Sequence, residues 1–209
     1  MKRQAFTLIE LIVTISIVSV LAALIIPAVN RSLEKGRAAK CVGNLRQVGT
    51  AFQLYLQDNQ YRMPQRVYPI PYGDGGKYGY DEMLLPYVNN TTGIFQCPSQ
   101  SSKNYPAEPS YGMNWYYDNQ IVIGLERPAR VILATDTRGN FGTGSHRADR
   151  DSESPGQLAS DRHSGKANFL FFDGHVETLT HAETLAPDDL WGTDSGQHEE
   201  EIEQPAADS

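Results

Sequence analysis

An uncharged apolar run fills residues 11–29 of this 209-residue chain. With residues 6–9 added, it reaches about 24 residues, roughly 36 Å as helix, which is enough to cross a bilayer. Glu10 is the charge it contains. After Asn30 the pattern changes: Ala38, Val42, Leu45, Val48, Phe52 and Tyr55 recur every three or four positions, the period of a helix with one apolar face. This second stretch is predicted to continue the first and to stop near Asp58, before Asn59 and Pro64. The two make one helix of about 53 residues, roughly 80 Å long. Its first half suits lipid or neighbouring chains, and its second half offers a stripe to a sheet.

Beyond Pro64 the helical period is lost and turn dipeptides such as Asp-Gly and Gly-Gly abound. A short helix is predicted over 81–88. Runs of strand length cover 111–117, 121–125, 130–135, 167–172 and 175–180. The last two flank Asp173-Gly174, a two-residue hairpin signal in which the glycine supplies positive φ and the aspartate tolerates it. Residues 139–155 read as a long polar loop. Antiparallel strands against one helix face imply an α+β fold, a long N-terminal helix packed on a small antiparallel sheet. The predicted organisation is a leader over 1–5, a transmembrane helix over 6–29, an amphipathic continuation over 30–60, a globular head over 61–181 and an acidic disordered tail over 182–209.

Charge sharpens that last boundary. The formal net charge is -7, and nine acids with no Lys or Arg lie between Ala182 and the end. The remainder after the leader is balanced, and no basic patch of the kind that binds nucleic acid stands out. Cys41 and Cys97 are too few for a disulfide scaffold or a four-thiolate zinc site. They are enough for one bridge in an oxidising compartment. The alternative is a pair of buried free thiols.

Glu10 needs an explanation, because a carboxylate in an apolar span costs several kcal/mol without a partner. A secretory signal peptide does not fit, since the run is too long and no Ala-x-Ala-like cut site follows a short core. The leader Met-Lys-Arg-Gln-Ala5 followed by Phe6-Thr-Leu-Ile-Glu10 resembles the processing site of type IV prepilins and type II secretion pseudopilins. The resemblance implies cleavage between Ala5 and Phe6 by a prepilin peptidase, with methylation of the new amine. Ala5 stands where that family usually has Gly. It also implies that Glu10 of one subunit pairs with the amine of its neighbour. Such a buried pair sets register more than it adds stability. Pro27 lies where these subunits typically carry a proline. It removes the hydrogen bond to the Ala23 carbonyl and is expected to kink the helix or to end it. The flanking charges, read alone, place the head in the cytoplasm, since Arg31, Lys35, Arg37, Lys40 and Arg46 follow the span. The resemblance implies the reverse: a single-pass inner-membrane subunit with its head in the periplasm or on the cell exterior.

Cys41-x-x-Asn44, Phe95-x-Cys97-Pro, Tyr111-Gly-x-Asn114, and Arg162-His163 followed after nine residues by Asp173-Gly174 resemble one large bacterial group of pilin-like proteins. The resemblance implies architecture rather than chemistry. No HExxH, nucleophile elbow or phosphate loop is present, so no catalytic residue, cofactor or small-molecule substrate is expected. Asp136, His146, His163, Asp173 and His175 are the titratable residues that strand ends could gather. The stretch from Asp136 fails the calcium-loop pattern, because Arg138 sits where an oxygen ligand belongs. Asp173 is expected to make the turn and His163 to clamp the loop before it. The rival is a calcium or zinc site of Asp136, His163 and Asp173. For the whole chain two functions follow: a structural subunit of a secretion pseudopilus or pilus, or a tethered module that never polymerises and holds sugar, peptide or metal.

Overall fold

The computed structural model describes residues 7–65, 79–100, 109–137, 147–148 and 162–192. One helix, α1, runs over Leu8–Asp58, about 76 Å at 1.5 Å per residue. It passes through Pro27 without a break, so the proline does not end it. Thr7 caps the start and Asn59 the end, where its side chain bonds the Tyr55 carbonyl.

The two halves of α1 live differently. The large apolar side chains from Leu8 to Val29 are exposed. From Cys41 onward one stripe is buried: Cys41, Leu45, Val48, Ala51, Phe52 and Leu56, with Asn44 and Gly49 beside it. The stripe is turned slightly from the predicted one, since Val42 and Tyr55 are half-buried. It packs on a five-stranded sheet in the order β3-β1-β2-β4-β5. The strands are β1 (Tyr111–Asn114), β2 (Ile132–Asp136), β3 (Arg147–Ala148), β4 (Ala167–Phe171) and β5 (Val176–Leu179). All pairs are antiparallel except β1 with β3. The predicted short helix is α2 (Tyr80–Leu84), continued by a 3-10 turn over Leu85–Val88. Gly49 lets β4 come close, because a Cβ there would stand 2.9 Å from Leu170 Cδ1.

Four expectations need correction. Residues 121–125 are not a strand. Ile121 forms an isolated bridge with Arg62, and Val122 donates to the Tyr61 carbonyl. Gly124 then takes a positive φ that breaks the extended run. Within the expected polar loop, β3 pairs with β1; the rest of that loop, His146 included, lies outside the described residues. The Asp173-Gly174 reversal is a three-residue loop. Gly174 N donates to Phe171 O and Phe171 N to His175 O, at 2.9 and 3.0 Å. Only Gly174 of the pair has positive φ, at +91°. This is a turn closed by a glycine bulge, in which Asp173 keeps ordinary φ.

The fourth correction concerns the predicted tail. Residues 182–192 belong to the head. Trp191 is wholly buried with Ile132, Ala167, Phe169, Phe171 and Leu190, and its ring meets Phe169 edge-on at 6.3 Å. Its Nε1 donates to Thr184 Oγ1. Leu190 O accepts from Ile132 N, and Trp191 O from Asn114 Nδ2. Net charge misled here, because two apolar side chains inside an acidic stretch outweigh acids that point to water. Residues 193–209 lie outside the described residues. The sheet is thus covered twice. Leu170 and Phe172 face the α1 cluster, whereas Ala167, Phe169 and Phe171 face the Trp191 cluster. Trp191→Ala should destabilise the head by about 3–5 kcal/mol, read by urea unfolding in detergent. An unchanged midpoint would return residues 182–192 to the tail.

Candidate functional site

Two regions carry the residues singled out above. The first is the start of α1. Ala5 and Phe6 lie outside the described residues. Thr7 and Glu10 form a reciprocal cap: Thr7 N and Oγ1 donate to Glu10 Oε2 at 2.8 and 2.7 Å, and Glu10 N donates to Thr7 Oγ1 at 3.3 Å. This is a capping box, written in the sequence as Thr7-x-x-Glu10. The family reading of Glu10 passed over that signal. In the single subunit the carboxylate therefore has a local partner, while staying fully exposed to anything that docks beside the helix. Further along, the hydroxyls of Thr14, Ser16 and Ser19 bond back to carbonyls of the preceding turn, so no polar side chain in this stretch is left bare. An 18-residue window here reaches a mean hydropathy of 2.7, and the helix is long and apolar enough to cross a membrane.

The second region is a buried polar cluster where β2 ends. Asp136 is wholly buried. Its Oδ2 accepts from Asn168 N at 2.9 Å and Asn168 Nδ2 at 3.0 Å, which locks the start of β4 to the end of β2. His163 Nε2 stands 3.3 Å from the same oxygen, and Arg162 Nη1 stands 3.7 Å from Oδ1. The same His163 nitrogen also meets sulfur, at 3.6 Å from Cys97 Sγ. Cys97 is bonded to Cys41 of α1, with Cα atoms 4.9 Å apart. Cys97 follows a 3-10 turn over Thr92–Phe95 rather than the extended segment that its apolar neighbours suggest. Tyr111 closes the floor. Burial, and after it the negative field of Asp136, pushes its phenol far above the usual range. Tyr117 and Tyr55 are likewise raised, first by burial.

His163 therefore clamps β2 and the disulfide, not the loop before the hairpin. Asp173 is not part of this cluster. It lies at the far end of β4, where its Oδ1 accepts from His175 N at 3.0 Å and faces the His175 ring. Those bonds outweigh partial burial and hold its carboxyl below the ordinary range. The set Asp136, His163 and Asp173 is thus divided between the two ends of one strand. Arg162 and Asn168 were missed as site residues. Arg162 adjoins His163 in the chain, but nothing in its spacing points at Asp136.

Residues 1–26 match the family model described as the prokaryotic N-terminal methylation motif. The chain is 35% identical over 145 residues to the type II secretion system core protein G of Escherichia coli (strain K12), covering 68% of this chain and 87% of that protein. The chain belongs to the pseudopilin family. No solved structure matches it. This pseudopilin joins the family's N-terminal motif to a long apolar helix and a small sheet, and it is a structural subunit of the pseudopilus or pilus kind. The comparisons lend no support to the non-polymerising module.

The buried cluster generates two predictions. Asp136→Ala removes a buried carboxylate from beside Arg162, whose side chain is 10% exposed, and strips Asn168 of its acceptor. The cost should be about 3–5 kcal/mol, and Asp136→Asn should recover part of it; equal stability of the alanine variant and the parent would remove the cluster's structural role. The tyrosines set an alkaline limit. A phenol whose pKa is raised in the folded state favours folding fully below its unfolded value, near 10, and loses that contribution as pH climbs toward the folded value. Stability should fall above pH 10, and Tyr111→Phe should flatten that fall, as urea midpoints at several alkaline pH values would show.

Proposed function

We propose that a prepilin peptidase cuts the chain between Ala5 and Phe6, that residues 6–29 hold it in the inner membrane with the head on the periplasmic side, and that it then enters a pseudopilus of a type II secretion system. The observation that carries this reading is the division of α1. One half is predominantly apolar and covered by none of the described residues, with a single carboxylate at its start; the other half is the wall of the head. A free subunit needs lipid for the first half, and a fibre replaces lipid with the same half of other subunits.

Cleavage supports the role of Glu10. A new amine at Phe6 would lie one residue before the Thr7 cap, so Glu10 can exchange its local bonds with Thr7 for a charge pair with a neighbour's amine. That exchange gives up the two bonds donated by Thr7 for a charge-assisted attraction that low polarity strengthens. Pro27 has no N–H to lose to a neighbour, and small adjustments of backbone there can fit the lower helix to its packing partners. The relative's name places that protein in type II secretion, which favours a secretion pseudopilus over a pilus. A structural subunit needs no catalytic residue, and the head's buried cluster is closed to substrate by its own packing.

Mass spectrometry of the membrane-extracted protein should find a chain that begins at Phe6 and carries an N-methyl group; an intact Met1 would rule out processing. Glu10→Ala removes both the cap and the charge. Glu10→Gln keeps an acceptor suited to the cap and removes only the charge. Both variants should be inserted and cleaved, and both should fail to enter fibres in pull-down or electron microscopy. If Glu10→Gln assembles as well as the parent, the carboxylate acts as a helix cap and not between subunits.

A further inference from the structure

The disulfide sits inside a set of ligands that the structural role does not use. Cys41 comes from α1, Cys97 from the segment after the first 3-10 turns, and His163 from the turn that enters β4. Their ligand atoms all lie within 4.8 Å of one another. Asp136 Oδ2 is 3.3 Å from the same His163 nitrogen that faces Cys97 Sγ at 3.6 Å. We propose that in its dithiol form, the state in which the cysteines are made and which precedes the disulfide, this centre binds one zinc ion through Cys41 Sγ, Cys97 Sγ and His163 Nε2, with Asp136 beside the site.

Geometry supports this. Tetrahedral zinc holds thiolate at about 2.3 Å and imidazole or carboxylate at about 2.0–2.1 Å. The edges of such a tetrahedron are about 3.6 Å from sulfur to nitrogen and about 3.3 Å from nitrogen to oxygen. One edge of each kind already exists between His163 and its neighbours. The sulfur-to-sulfur edge is about 3.8 Å, reached by parting two cysteine side chains whose Cα atoms are 4.9 Å apart in the bonded state.

Metal binding at Nε2 places the ring proton on Nδ1, which is buried without a hydrogen bond among the described residues, and displaces the proton that Nε2 can share with Asp136 Oδ2. Two thiolates balance the charge of one divalent cation, whereas a pair of thiolates without a metal would leave two charges in that interior, which burial opposes. The ion would tie the same two segments that the disulfide ties, α1 and the loop after residue 95. The two states exclude one another, because the thiolates that would bind the metal are the sulfurs joined in the S–S bond.

The test uses the full chain in detergent, reduced with a phosphine, and cobalt(II) as a coloured substitute for zinc. The reduced protein should develop thiolate-to-cobalt charge-transfer bands and intense visible bands of tetrahedral cobalt, saturating at one equivalent and bleached by zinc. The disulfide form should show neither. His163→Gln should weaken binding by about tenfold or more, since loss of even an outer-shell partner costs that much. X-ray absorption of the zinc-loaded parent should show two sulfurs at about 2.3 Å with nitrogen or oxygen at about 2.0 Å, and it decides the matter if His163→Gln does not fold. A first shell without sulfur, equal binding by the disulfide form, or unchanged affinity in a folded His163→Gln variant would overturn the proposal.

Discussion

The head has no core without the second half of α1. Cys41, Leu45, Val48, Ala51, Phe52 and Leu56 form one wall of its main apolar cluster, and five short strands alone leave that face of the sheet wet. The helix is apolar all round in its first half, long enough to cross a membrane, and striped for a sheet in its second. The change from one pattern to the other is where the head begins. Because the stripe is built into the core, the lower helix joins the head through continuous helix, with no linker between them.

Several devices fix the helix against the sheet besides apolar contact. Asn44 Nδ2 donates to the Gln96 carbonyl at 2.8 Å and Gln53 Nε2 to the Phe172 carbonyl at 2.6 Å. Each satisfies a buried or half-buried backbone acceptor of the head with a side chain from α1, and such bonds cost little when made and much when broken. The Cys41–Cys97 bridge closes a separation of 56 residues, which on the chain-entropy model contributes about 4 kcal/mol as an upper estimate. It joins the helix to a segment of short 3-10 turns that Asn44 and Ser110 also hold by hydrogen bonds.

Much of this was legible in the sequence, for reasons that differ by element. The 3.6-residue period of α1 and the apolar runs of β1, β2, β4 and β5 report burial directly, so their existence was readable to within a few residues. Residues 121–125 look the same in composition, but their hydrogen bonds go to residues 61–63 at the exit of α1, and composition does not record the partner of a backbone group. Trp191 was hidden by its acidic neighbours, although a buried tryptophan removes far more apolar surface from water than any one exposed acid opposes. The Thr7–Glu10 cap is a local signal and was there to be read. The meeting of Asp136 with His163 was readable from their places at strand ends; that of His163 with Cys97 was not, because it depends on segments whose register is set only when the sheet forms.

That register explains the spacing of His163 and Asp173. The residues between them are one turn, one strand and the first loop position. At the start of β4, Asn168 must meet Asp136; at its end, Phe172 must still point to α1 before Gly174 reverses the chain. Both faces of β4 are buried, Leu170 and Phe172 on one side and Ala167, Phe169 and Phe171 on the other. Adding or removing one residue would exchange the two faces. Large rings would then meet the Gly49 side of α1, where Leu170 already leaves no room for a Cβ. Asp136 would also lose the amide that secures it. The interval is therefore a strand length measured between two fixed ends, and neither end needs to touch the other for the distance to be constrained.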